Sequence, residues 1–158
     1  VREVPEKLKE KYEKLRKKYN LPEWKKILLL GFFEDSDLND IFSLSKAIKK
    51  SLLNIQGVFQ NLLVPEDFIS MQDSRFVRDM RDKLLKALAK IVHLNRKFSL
   101  KIFEAIKSER TEEKIAEAIR ETVKEVEEIL EVYGEAIKKL ESSWKGAKIE
   151  NEEPRYQW

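Results

Sequence analysis

The sequence predicts an all-α fold: an antiparallel bundle of three long amphipathic helices plus a shorter N-terminal helix. Three observations point there. Apolar residues recur at three- and four-residue spacing along most of the chain, which marks one buried face per helix. The 158 residues include only four Gly and four Pro, too few for the tight turns of a loop-rich β-fold. Apolar residues make up 42% of the chain, enough to build a core and too many for a fully disordered protein. A length of 158 residues suits one domain. That domain is expected over residues 1–146, with residues 147–158 as a loose polar tail.

The first helix is expected over Pro5–Tyr19. Pro5 suits the first helical position, where a missing N–H costs nothing. Val4, Leu8, Tyr12, Leu15 and Tyr19 give it one apolar edge. Asn20 and Pro22 end it, and Pro22 restarts a short helix to about Leu30, where Gly31 breaks it. Residues 5–30 thus form a basic helix followed by an apolar segment.

The second helix is expected over 37–63. Asp35, Ser36 and Asp37 offer caps and carboxylates that favour a helix N-terminus. Its stripe is Ile41, Leu44, Ser45, Ile48, Leu52, Ile55, Phe59 and Leu62, and Pro65 stops it. The third is expected over 74–107, with Val77, Met80, Leu84, Leu88, Ile91, Asn95, Phe98, Ile102 and Ile106 inward. The fourth is expected over 111–145, capped by Ser108 or Thr111. Its stripe is Ile115, Ile119, Thr122, Val126, Ile129, Tyr133, Ile137, Leu140 and Trp144. The short loop between the last two makes them antiparallel neighbours. Leu53 and Leu100 fall off these stripes, which predicts that a second helical face is covered. Asn95, on a stripe, calls for a buried partner such as Thr122 or Ser45.

The same residues exclude much chemistry. There is no Cys, hence no thiolate nucleophile, disulfide or cysteine-bound metal. His93 is the one imidazole, and it faces away from its helix's stripe. A bundle-core di-iron site takes Glu-x-x-His pairs, and none occurs. Gly31, Gly57, Gly134 and Gly146 are scattered, so no phosphate-cradling loop is expected. No Ser stands in a Gly-x-Ser-x-Gly turn. The expectation is a protein without catalytic residues, metal or cofactor.

Two surfaces remain as candidates. Residues 1–30 carry ten basic and five acidic side chains, whereas residues 108–158 carry nine basic and fourteen acidic. The basic candidates are Lys7, Lys11, Lys14, Arg16, Lys17, Lys18, Lys25 and Lys26, suited to phosphates of a nucleic acid. The apolar candidates are Trp24, Ile27, Leu28, Phe32 and Phe33, more than one stripe needs. The leading expectation is a non-enzymatic interaction or scaffold protein, associating through Trp24–Phe33 with another copy or a protein partner. The alternative is polyanion binding through the basic helix. The window Trp24–Phe33 is too short to span a membrane, so a soluble, cytoplasmic protein is expected. The excess of Lys and Glu over Asn, Gln, Met and Cys resembles thermophile composition.

Overall fold

The structure is a computed structural model. It describes the backbone of residues 6–63 and 74–156, and side chains over 6–61, 63, 81–131, 134 and 135. Among these residues there is no strand. Five helices form: α1 (Glu6–Tyr19), α2 (Trp24–Ile27), α3 (Ile41–Leu62), α4 (Ser74–Lys107) and α5 (Thr111–Tyr156). Short 3-10 turns at Leu28–Leu30 and Asp35–Leu38 link α2 to α3. The all-α bundle read from the sequence is the observed fold.

The α1 helix ends as its sequence dictates. Asn20 adopts a left-handed φ of 53°, a conformation Asn tolerates better than most residues. Beyond it, the Leu21 amide donates back to the Arg16 carbonyl at 3.2 Å, closing the helix by a Schellman-type bond. Arg120 of α5 adds a bond to the Tyr19 carbonyl at 2.6 Å. The α3 helix begins at Ile41 rather than at 37. Asp37 instead closes a capping box with Glu34 around the 3-10 turn. Asp40 is the true cap, its carboxylate accepting from the Ser43 amide at 2.7 Å. That bond holds the Asp40 carboxyl below its ordinary pKa.

The α4 helix lies between α3 and α5 and packs on both, while α3 also reaches α5. Leu44, Ile48, Leu52 and Phe59 of α3 meet Leu84, Ile91, Leu94 and Phe98 of α4 and Ile115, Ile119, Val123 and Val126 of α5 in one core. Two partners rotate the buried arc of α4 toward α5. Leu94 and Ala105 are therefore buried, although they lie outside the expected stripe. Ile106, expected inside, is 60% exposed. The N-terminal segment closes the opposite side: α2 and the Leu28–Leu30 turn contact α5, and that turn also contacts α3.

The last helix corrects the expected boundary. It continues through residues 147–156 to Tyr156, where a loose tail was expected. The proposed inward positions of Val77, Met80, Tyr133, Ile137, Leu140 and Trp144 lie outside the described side chains.

Candidate interaction surface

The apolar segment is mostly interior. Ile27 is wholly buried, and Trp24, Leu30 and Phe33 nearly so. Leu28 is half-buried against the core. Tyr12 stacks on Trp24 with ring centroids 5.2 Å apart and donates its hydroxyl to the Pro22 carbonyl. Burial raises the Tyr12 pKa well above the ordinary tyrosine value. Trp24, Ile27 and Phe33 therefore leave the list of open interface candidates, because packing α1 and α2 onto the bundle consumes them. Phe32, 94% exposed, remains, with Leu29 half-exposed nearby. Gly31 separates the inward and outward residues, with φ 143° and ψ −162°, a combination open essentially to glycine alone.

The basic helix is partly neutralised. Lys7, Lys11, Lys14 and Lys18 recur at four- and three-residue steps and share a face of α1. Lys11 donates to the Asp35 carbonyl at 2.8 Å, to the Asp35 carboxylate at 3.0 Å and to Asn39. Arg16 pairs with Glu13 at 3.1 Å, and its Nε is enclosed without a hydrogen-bond partner. Lys26 pairs with Glu127 of α5 at 3.6 Å. Lys18 lies over the Tyr19 ring. Lys7, Lys14, Lys17 and Lys25 are exposed, with Glu6, Glu10 and Glu13 between them. An open depression of about 380 Å³ lies between α1 and α5, lined by Arg16, Lys26, Arg120 and Lys124 together with Glu23 and Glu127. Three of its four cations already hold acceptors in the chain.

Asn95 is buried as expected, but its partners are on α3 and are neither Thr122 nor Ser45. Its amide donates to Gln56 Oε1 at 2.8 Å and to the Leu52 carbonyl at 3.3 Å. Lys49 Nζ donates to the Asn95 carbonyl at 3.2 Å and to its Oδ1 at 3.3 Å. Ser45 turns to its own helix, donating to the Phe42 carbonyl. The network locks α3 and α4 in one antiparallel register, and desolvation lowers the Lys49 pKa.

That register exposes a surface the sequence expectations missed. Phe42 lies as far before Leu52 as Ala105 lies after Asn95, so Phe42 stands level with Phe103 and Ile106. On α3, Phe42, Lys46, Lys49 and Leu53 step by four and three residues along the outer edge. On α4, Leu85, Ala89, Val92, Arg96, Ser99, Phe103 and Ile106 do the same. Phe103 is 55% and Leu53 50% exposed. Leu53 and Leu100, expected under a covered second face, are not covered from within the chain, Leu100 being 57% exposed. The N-terminal segment settles elsewhere: α2 lies against α5, the Leu28–Leu30 turn against α3 and α5, and α1 against α2 and the Asp35–Leu38 turn. The 3-4 repeat on α4 was legible in the sequence. It merged with the core stripe because the two arcs adjoin.

Charge separates along the same lines. Among described residues, α3 carries Lys46, Lys49 and Lys50 and no Asp or Glu. On the far side of α4, Lys97 and Lys101 pair with Glu125 and Glu121 of α5. Arg96, Lys46 and Lys50, on the open side, hold no ion pair among the described residues. His93 is exposed. Among the described residues, no group of three His, Cys, Asp or Glu could hold a metal ion. No described helix is long and apolar enough to cross a membrane. Comparison with protein-family models, curated proteins and solved structures returns no match.

Proposed function

We propose that this chain is a non-enzymatic interaction protein whose contact surface is the open face of α3 and α4. One observation carries this: two adjacent helices, locked in register by Asn95, leave Phe42, Leu53, Phe103 and Ile106 in solvent along a single seam. Exposed apolar surface of that continuity marks a contact site. The lack of any nucleophile–base pair or metal-ligand set in the sequence supports the non-enzymatic part. Self-association through Trp24–Phe33 has less support, since Phe32 and Leu29 are the residues left open there. The polyanion alternative rests on Lys7, Lys14, Lys17, Lys18 and Lys25, which alternate with glutamates.

A photo-reactive amino acid placed at Leu53, and in a control at Lys124 on the outer side of α5, tests the reading in cells that express the chain. A discrete cross-linked product at Leu53 but not at Lys124 is expected. Equal or absent products at both positions refute it. A single-stranded oligonucleotide titrated at low salt tests the alternative, which falls if nothing binds.

A further inference from the structure

The geometry points to an acidic amphipathic helix of a partner protein as the occupant of the α3–α4 face. This inference rests on the proposed contact surface and adds the chemistry of what fills it. The first support is periodicity. Leu85, Val92, Ser99 and Ile106 recur every seven residues on α4, with Ala89, Arg96 and Phe103 interleaved. A 3-4 seam of this kind accepts a further helix packed at a shallow angle. Phe42 and Leu53 of α3 add exposed apolar side chains beside the seam, which suits a helix presenting anchors at i, i+3, i+4 and i+7.

The second support is charge. Lys50 and Arg96 border the seam without ion-pair partners among the described residues, Lys46 faces only the more distant Asp40 carboxylate, and Lys49 stands half-buried beside Asn95 with neutral acceptors among the described residues. Asp and Glu flanking the apolar anchors of an incoming helix would meet these cations. The same charge disfavours a second copy docking face to face, because Lys46, Lys49, Lys50 and Arg96 would confront their own images. The outer face of α5 is acidic, but its exposed described residues are all Glu or Lys. Among the described residues it brings no apolar anchor to fill the seam from another copy.

The test uses the full chain and two synthetic helical peptides with Leu at heptad core positions, one flanked by Glu and one by Lys. Binding is read by fluorescence anisotropy and by amide chemical shifts. The Glu peptide is expected to bind, more weakly as salt rises, and the Lys peptide to show no binding. Phe103→Glu and Leu53→Glu should each weaken the Glu peptide by about tenfold or more, with unchanged circular dichroism, whereas Phe32→Ser leaves it unchanged. Failure of the Glu peptide to bind at low salt overturns the inference, as does equal binding of both peptides. So does a dimer of the free chain that Phe103→Glu dissolves, which would make a second copy the occupant. Phosphatidylglycerol vesicles or heparin displacing the Glu peptide through Leu53 and Phe103 would assign the face to an anionic surface instead. If Leu53 cross-links a partner but the Glu peptide is ignored, the contact surface stands and the acidic-helix assignment falls. If neither occurs, both fall.

Discussion

Replacing Gly31 with Ala should destabilise the chain through its backbone alone. Gly31 holds φ 143° and ψ −162°, a region that costs an L-residue about 1–3 kcal/mol. Sterics add little, because a Cβ added there would meet Ser51 Oγ at 3.6 Å, ordinary contact. Gly57 supplies the opposite control. It sits inside α3, where an added Cβ would have no neighbour within 4 Å, so Gly57→Ala should stabilise by about 0.5–1 kcal/mol through helix propensity. For a domain of this size each kcal/mol moves Tm by roughly 2–4 °C. Gly31→Ala should therefore lower Tm, and Gly57→Ala should raise it slightly. Urea unfolding followed by circular dichroism gives the free energies, and an unchanged m-value keeps the comparison two-state. A Gly31→Ala chain as stable as the parent would refute the backbone origin of the effect. So would a shift of both substitutions in the same direction. The Gly31 geometry also directs Phe33 inward and Phe32 outward, so the loss should extend to the docking of α2.

Asp40→Ala should cost about 1 kcal/mol by removing the α3 cap. The folded Asp40 pKa is depressed, so its contribution is present above the unfolded carboxylate value and lost as pH falls through the folded one. The stability gap between parent and variant should accordingly close in acid, and a gap that persists or widens there would contradict this. Tyr12→Phe should cost about 1 kcal/mol, since the Pro22 carbonyl loses its donor within the packed α1–α2 corner; equal stability would mean that water replaces the hydroxyl. Asn95→Ala should cost about 2–4 kcal/mol, from lost hydrogen bonds and an unfilled site. In a double-mutant cycle with Lys49→Met, simple additivity would show that the two side chains do not act as a unit.

Helix identity was legible from residue spacing because a helix needs only its own periodicity to declare itself. The first helix and the cores of the three long helices follow from apolar stripes, and Ile115, Ile119, Thr122 and Val126 are buried as their spacing predicts. Boundaries were less legible. Asp35, Ser36, Asp37 and Asp40 are all competent caps by residue type. The choice of Asp40 came from the 3-10 turn that Glu34 and Asp37 close before it.

The candidate site was the least legible part. Trp24, Ile27 and Phe33 on one hand, and Leu53, Phe103 and Ile106 on the other, look alike as apolar residues in a sequence. Which set meets solvent depends on where the N-terminal segment docks, a long-range choice that no local pattern encodes. Amino-acid spacing by itself determined an all-α chain with long amphipathic helices, a buried polar residue at position 95 and opposite charge at its two ends. Tertiary structure alone decided that α2 and the Leu28–Leu30 turn settle on α5 and α3. It also decided that Asn95 pairs with Lys49 and Gln56, and that the seam of α3 and α4 stays open. The physical reason is that a helix specifies how much apolar surface it must bury, but only packing against particular neighbours specifies which arc of it is buried.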